Sequence, residues 1–195
     1  MFRGQTDIFV HMLPTSPGLL VPQLTHGTQN DIVMARQDIV AAVDAAGFVA
    51  PGALRPAFRG RLVLATRMDA RDDVTRTGPF ALTDPSPGAG RDDAAILAAM
   101  GLRVAHALGA VDSGGVAYLV ATGAAGAGLM LLADVRQDVR LKVAIEVPET
   151  AAAPIIYVAS ATRAPLRAQP GRFLEFLGGD EGVAIMKRHG WEKAA

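Results

Sequence analysis

The 195-residue chain is 50% hydrophobic and balances 19 Lys plus Arg against 19 Asp plus Glu with no basic block. This excludes a disordered segment and gives no support to nucleic acid or an anionic membrane surface as a partner. With no basic block, any bound anion would have to be held by dipoles; cysteine is absent, which removes disulfides, zinc-thiolate sites and thiol chemistry.

At this length the chain supports one good core or two small lobes. The start, MFRGQTDIFVHMLP, has no continuous apolar region and no small-residue cleavage site, and does not read as a secretory signal. Asp7 to Met12 (DIFVHM) reads as a strand. Thr15-Ser16-Pro17-Gly18 then opens a helix running to about Thr25. Thr15 or Ser16 is the natural N-cap, Pro17 sits in the first turn where a missing N–H is harmless, and Gly27 ends the helix. Asp31 to Ala35 reads as a second strand. Asp38 to Ala46 reads as a helix with Ile39, Val40 and Val43 on one face, stopped by Gly47. This β–α–β–α order favours a parallel sheet.

After a loop with Pro and Gly, Arg61 to Thr66 (RLVLAT) is a nearly all-apolar strand of the kind buried on both faces. The polar, charged stretch Met68 to Gly78 reads as a passage from one lobe into another. Phe80 to Gly101 (FALTDPSPGAGRDDAAILAAMG) then gives a strand, a tight turn and a helix N-terminus. Such a junction offers unpaired N–H groups and the positive end of a helix dipole, and Gly88 and Gly90 allow the backbone close to a ligand. Asp92 and Asp93 in the helix's first turn suit the dipole but oppose a dianion, with Arg91 beside them as an offset.

Val104 to Val111 continues as a short helix ended near Gly114. Gly114 to Ala133 carries no charge and is long enough for a membrane span. Its glycines at 123, 126 and 128 instead split it into a strand (VAYLVA) and a helix (AGLMLLADV). Strands follow at Arg140 to Ile145 and Ile155 to Ser160, then helices at Pro170 to Gly178 and Glu181 to Gly190. The first of these turns Phe173, Leu174, Phe176 and Leu177 inward.

The four histidines have no ligand spacing, TGAAGAG fits no dinucleotide-binding glycine pattern, and no Gly-x-Ser-x-Gly elbow occurs. Asp72-Asp73, with arginines on both sides, reads as solvated charge. No metal site and no catalytic constellation emerges, so the chain is expected not to be an enzyme and to need no cofactor.

The strings NDIVMARQDIVAAVDAAGFV, RGRLVLATR, FALTDPSPGAGRDDA, VAHALGAVDSGGVAYLVATG, VAIEVPE with IIYVAS, and FLEFLGGDEGVAIMKRHGW resemble, in this order, the molybdate-binding proteins of ABC importers. The resemblance spans roughly Thr15 to Trp191. It implies an α/β, two-lobed periplasmic-binding-protein-like fold of type II, with mostly parallel sheets and a two-segment hinge. Lobe 1 would be residues 1–66 plus 155–195 and lobe 2 residues 67–148, with hinge segments near 61–67 and 147–156. The implied function is capture of a tetrahedral oxyanion, molybdate or tungstate, for an ABC permease in the membrane, and the implied compartment is periplasmic.

Carried over position by position, the resemblance places main-chain anion donors at Ala89 and Val104, and hydroxyl contacts in the Thr15-Ser16 turn. The family's serine in that turn falls on Pro17, one place after Ser16, and its tyrosine falls on Thr122. The family's opening strand and Ala-Ser-Leu turn have no counterpart before DIFVHM. A second reading is therefore a degenerate or truncated relative that senses a ligand or binds another protein without holding molybdate. Loss of a strand would leave a sheet edge open to a partner chain or to a homo-oligomer through a swapped segment.

Overall fold

The computed structural model describes residues 2, 6–15, 17–53, 55–70, 79–84, 91–165 and 169–194. The chain divides into two compact units, changing from one to the other after Phe58, Ile155, Lys187 and Trp191. The strand read at Arg61 to Thr66 thus falls in the second unit, where the sequence reading sets a crossing near 61–67.

In the first unit, a 3-10 turn at Pro17–Leu19 leads into α1 (Leu20–Thr25), and β1 (Ile32–Arg36) feeds α2 (Gln37–Ala45). Gly47 follows α2 at φ +83°, a left-handed conformation that glycine adopts without a Cβ penalty. Later elements, wholly or partly in this unit, are β2 (Ala57–Gly60), then β8 (Ile155–Ala161), α6 (Pro170–Gly178), α7 (Asp180–Arg188) and β9 (Trp191–Lys193). The four strands lie in the order β1-β8-β2-β9, and β1 runs antiparallel to β8 with Ile32 opposite Ala161 and Arg36 opposite Tyr157.

The core of this unit gathers Leu20, Leu24, Val33, Val43 and Val49. Val40 and Val43 are buried on α2 as its helical spacing requires. On α6, Leu174 and Leu177 are buried, while Phe173 and Phe176 are half-buried and meet the ring of Phe2 at 5.3 and 5.0 Å.

The second unit is built on β3 (Leu62–Arg67), β4 (Phe80–Thr83), β5 (Ala107–Ala110), β6 (Ala127–Leu131) and β7 (Leu141–Glu146). Helices α3 (Asp93–Ala99), α4 (Ser113–Ala121) and α5 (Leu132–Gln137) connect them. The strand order is β5-β4-β6-β3-β7. Its core includes Val63, Ala65, Ala81, Val116, Val120, Met130 and Leu141.

Several expectations are corrected. The sheets are mixed: β4 is parallel to β5 and β6, but β3 is antiparallel to β6 and β7, and β1 is antiparallel to β8. A helix between two strands forces a crossover only for that pair, and β3 takes neighbours from chain that returns later. Asp7 to Met12 joins no ladder and is irregular chain. The helix expected over Val104 to Val111 is irregular chain followed by β5.

VAYLVA is helical, inside α4, because Asp112 caps it and Val116, Ala117, Val120 and Ala121 form one buried stripe. AGLML is strand β6, buried along its whole length. The uncharged stretch Gly114 to Ala133 is therefore cut into helix, turn, strand and helix, and no helix among the described residues is long and apolar enough to cross a membrane.

Candidate functional site

The three parallel strands of the second unit fix where a ligand site can form. From β4 the chain passes through α3 to β5 on one side, then through α4 to β6 on the other. The strand order reverses at β4, and in open α/β sheets the carboxyl end of the strand at such a reversal, here Thr83 and Asp84, is where ligands bind. The turn singled out in the sequence begins there. Residues 85–90 of that turn, including Ala89, lie outside the described residues.

The framework around the end of β4 is polar and almost closed upon itself. Asp93, at the start of α3, is 2% exposed. Its Oδ2 accepts the Thr83 N–H at 2.8 Å, and its Oδ1 accepts Arg91 Nε at 2.5 Å. Arg91 Nη2 also donates to Thr83 Oγ1 at 2.7 Å and to the Leu129 carbonyl at 3.3 Å. One guanidinium thus ties β4, α3 and β6 together, and a buried charge pair keeps its hydrogen bonds. Asp92 is exposed and acts differently, its Oδ1 accepting the Ala95 N–H at 3.0 Å as the α3 cap. The two neighbouring aspartates named in the sequence therefore do unlike things, and only Asp93 is offset by Arg91.

The ends of β5 and β6 repeat the pattern. Asp112 caps α4, accepting the Gly115 N–H at 2.8 Å. Ser113 Oγ donates to Asp134 Oδ2 at 2.5 Å and accepts the Leu131 N–H at 2.8 Å, joining α4, β6 and α5. Burial pushes the Asp134 carboxyl above its usual range, against the Ser113 hydrogen bond that lowers it, and the charge of Asp112 adds to the rise. Asp84 donates its N–H to the Ala110 carbonyl at 2.8 Å, and its carboxylate lies over Gly109, where any Cβ would collide with it. This edge of the sheet carries Asp84, Asp92, Asp93, Asp112 and Asp134 against Arg91.

Of the four residues assigned from the sequence, Ser16 and Ala89 lie outside the described residues. Thr15 belongs to the first unit, exposed, with Oγ1 donating to Gln23 Oε1 at 2.9 Å; it caps no helix N–H. Val104 belongs to the second unit, half-buried in irregular chain between α3 and β5, so its N–H does not begin a helix. Sequence reading missed the Ser113–Asp134 pair and the Arg91 tie. The pair Asp112-Ser113 is a helix-start signature that becomes legible once the stretch after it is taken as helical. Among the described residues no three His, Asp or Glu side chains are grouped to hold a metal ion.

The chain thus has two α/β units and a strand order that reverses at β4. The chain matches the family described as bacterial extracellular solute-binding protein over residues 1–192, and it belongs to that family. Membership makes it a non-enzymatic solute-binding protein of the ABC transport type. No curated protein matches it.

Among solved structures, it is similar to the Azotobacter vinelandii periplasmic molybdate-binding protein, with 23% identity and a TM-score of 0.81 over 100% of this chain and 91% of that one. It is also similar to the substrate-binding domain of a molybdenum ABC transporter from Clostridium difficile, with 19% identity and a TM-score of 0.73 over 100% and 90%. PEB3 of Campylobacter jejuni bound to L-phospholactate gives 15% identity and a TM-score of 0.69 over 99% and 91%. At these identities the likeness is one of fold.

Proposed function

We propose that this protein captures a small tetrahedral oxyanion, molybdate or tungstate, and delivers it to an ABC importer. The observation that carries this reading is the reversal of strand order at β4, which opens the carboxyl end of that strand where the Gly-bearing turn before α3 begins. Main-chain N–H groups in such a turn can replace water around an anion. Two fold neighbours are named for molybdate or molybdenum and a third for a ligand bearing a phosphate, which supports an oxyanion. In this reading Ala89 and Val104 are the second unit's donors, and Thr15 and Ser16 rest on the family resemblance alone.

A specific observation favours a second reading. The N–H groups of Thr83, Ala95, Gly115 and Leu131 are each taken by a side chain of the protein itself, and three exposed carboxylates, Asp84, Asp92 and Asp112, border the same edge. That arrangement suits a relative of the fold that does not hold a dianion. Titration calorimetry with molybdate, tungstate and sulfate separates the two. Heat with molybdate and tungstate is the expected result, and silence with all three, at protein concentrations that detect micromolar binding, leaves the second reading standing.

A further inference from the structure

The segment Asp7–Met12 is strand-like in sequence and yet joins neither sheet. Ile8, Phe9 and Val10 are strand-favouring residues in succession, and Phe9, Val10, Met12 and Leu13 are 60%, 41%, 78% and 60% exposed. Four large apolar side chains in water within five residues are an unusual surface for a monomer. Asp7 is held at φ 54°, the sole non-glycine positive φ among the described residues. Asp tolerates this conformation, which falls in a local turn where the Ile8 N–H donates to Thr6 Oγ1 at 3.3 Å.

The first unit also offers an open place for a strand. Each edge of the two sheets is blunted except one. β7 has a register shift opposite Leu64/Ala65 and carries Lys142 and Glu146, β9 is three residues long and includes Glu192 and Lys193, and β5 is four residues long. Bulges, charges and shortness are the ordinary protections of an edge. β1 is five residues long, pairs with β8 in unbroken register, has β8 as its one strand neighbour among the described residues, and exposes Met34 by 41%.

We propose that Asp7–Met12 of one copy adds as an antiparallel strand to the β1 edge of a second copy, reciprocally, giving a strand-exchanged dimer. Charge and pattern select the register. With Asp7 opposite Arg36, Phe9 falls opposite Met34 and Val10 opposite Val33, so exposed apolar residues meet on one face and Val10 joins the buried side of β1 on the other.

Light scattering over a concentration series tests this: the expected mass is twice the 20.3 kDa of the chain. Phe9→Asp and Met34→Lys, made separately, are each expected to halve it while circular dichroism stays that of the folded protein. Because the chain lacks cysteine, the double variant Phe9→Cys, Met34→Cys gives a second readout. It should oxidise to a covalent dimer on a non-reducing gel. A monomer at every concentration overturns the proposal, as does a disulfide that closes within one chain.

Discussion

Asp134 and Asp138 stand four residues apart and respond to pH in opposite senses. The unfolded reference for both is 3.8. Burial holds Asp134 above it in the folded protein, so between 3.8 and its raised value the native state binds more protons than the unfolded one, and stability falls as pH rises through that window. Arg140, bonded to Asp138 at 2.6 and 2.9 Å, holds that carboxyl down at about 2, and its contribution is present above 3.8 and lost as pH falls toward about 2. Asp134→Asn keeps an acceptor for Ser113 and removes the first titration. Urea unfolding across acid pH should show the wild type losing stability relative to this variant as pH rises from 3.8, then a constant difference. A difference that does not change with pH would show that Asp134 is not shifted.

At the scale of elements, two glycines mark contacts of different compliance. A Cβ on Gly128, in β6, would meet Val116 Cγ1 at 2.6 Å and Val120 Cγ2 at 2.9 Å on α4. The Ala81 carbonyl follows at 3.1 Å, so the two closest contacts are side chains, and Gly128→Ala should cost about 1–3 kcal/mol by overpacking. A Cβ on Gly182, in α7, would strike the Phe176 carbonyl and approach Leu177 Cα at 2.7 Å, both backbone of α6. Two helix backbones would have to separate, and Gly182→Ala should destabilise more than Gly128→Ala in the same urea titration. The reverse order would mean that α7 shifts freely on α6.

The same elements show what a sequence reading can reach. Strands β3, β4 and β8 and helices α2 and α6 follow from apolar runs, periodicity and their glycine or proline punctuation, because in them local preference and tertiary burial agree. Stretches 116–121 and 127–131 were legible only in part. Val, Tyr and Leu favour a strand in the first, where the Asp112 cap and contact with β6 make a helix. Ala, Leu and Met favour a helix in the second, where burial on both faces makes a strand. Of the candidate site, the described part that local sequence announces is the start of α3, where Asp92 caps the helix and Asp93 occupies its first turn. Ser113–Asp134 and Arg91–Leu129 join residues 21 and 38 positions apart, and no local pattern announces them.

For the whole molecule, the equal count of 19 cationic and 19 anionic residues conceals an uneven distribution. Among the described residues, the edge beyond β4 sets one guanidinium, Arg91, already committed to Asp93, against exposed Asp84, Asp92 and Asp112. A dianion about 8 Å from each exposed carboxylate would be repelled by ~1 kcal/mol per carboxylate in water-like surroundings. Salt screens such repulsion, with a Debye length of about 30 Å at 0.01 M and about 10 Å at 0.1 M. If the oxyanion is held there by main-chain dipoles, raising salt over that range should tighten molybdate binding, by about fivefold for three carboxylates at that distance. Asp84→Asn should tighten binding at low salt and lose its advantage at high salt. Calorimetry at the two ionic strengths reads both effects. Binding that weakens with salt would place the anion against cationic side chains instead, and would remove it from the end of β4.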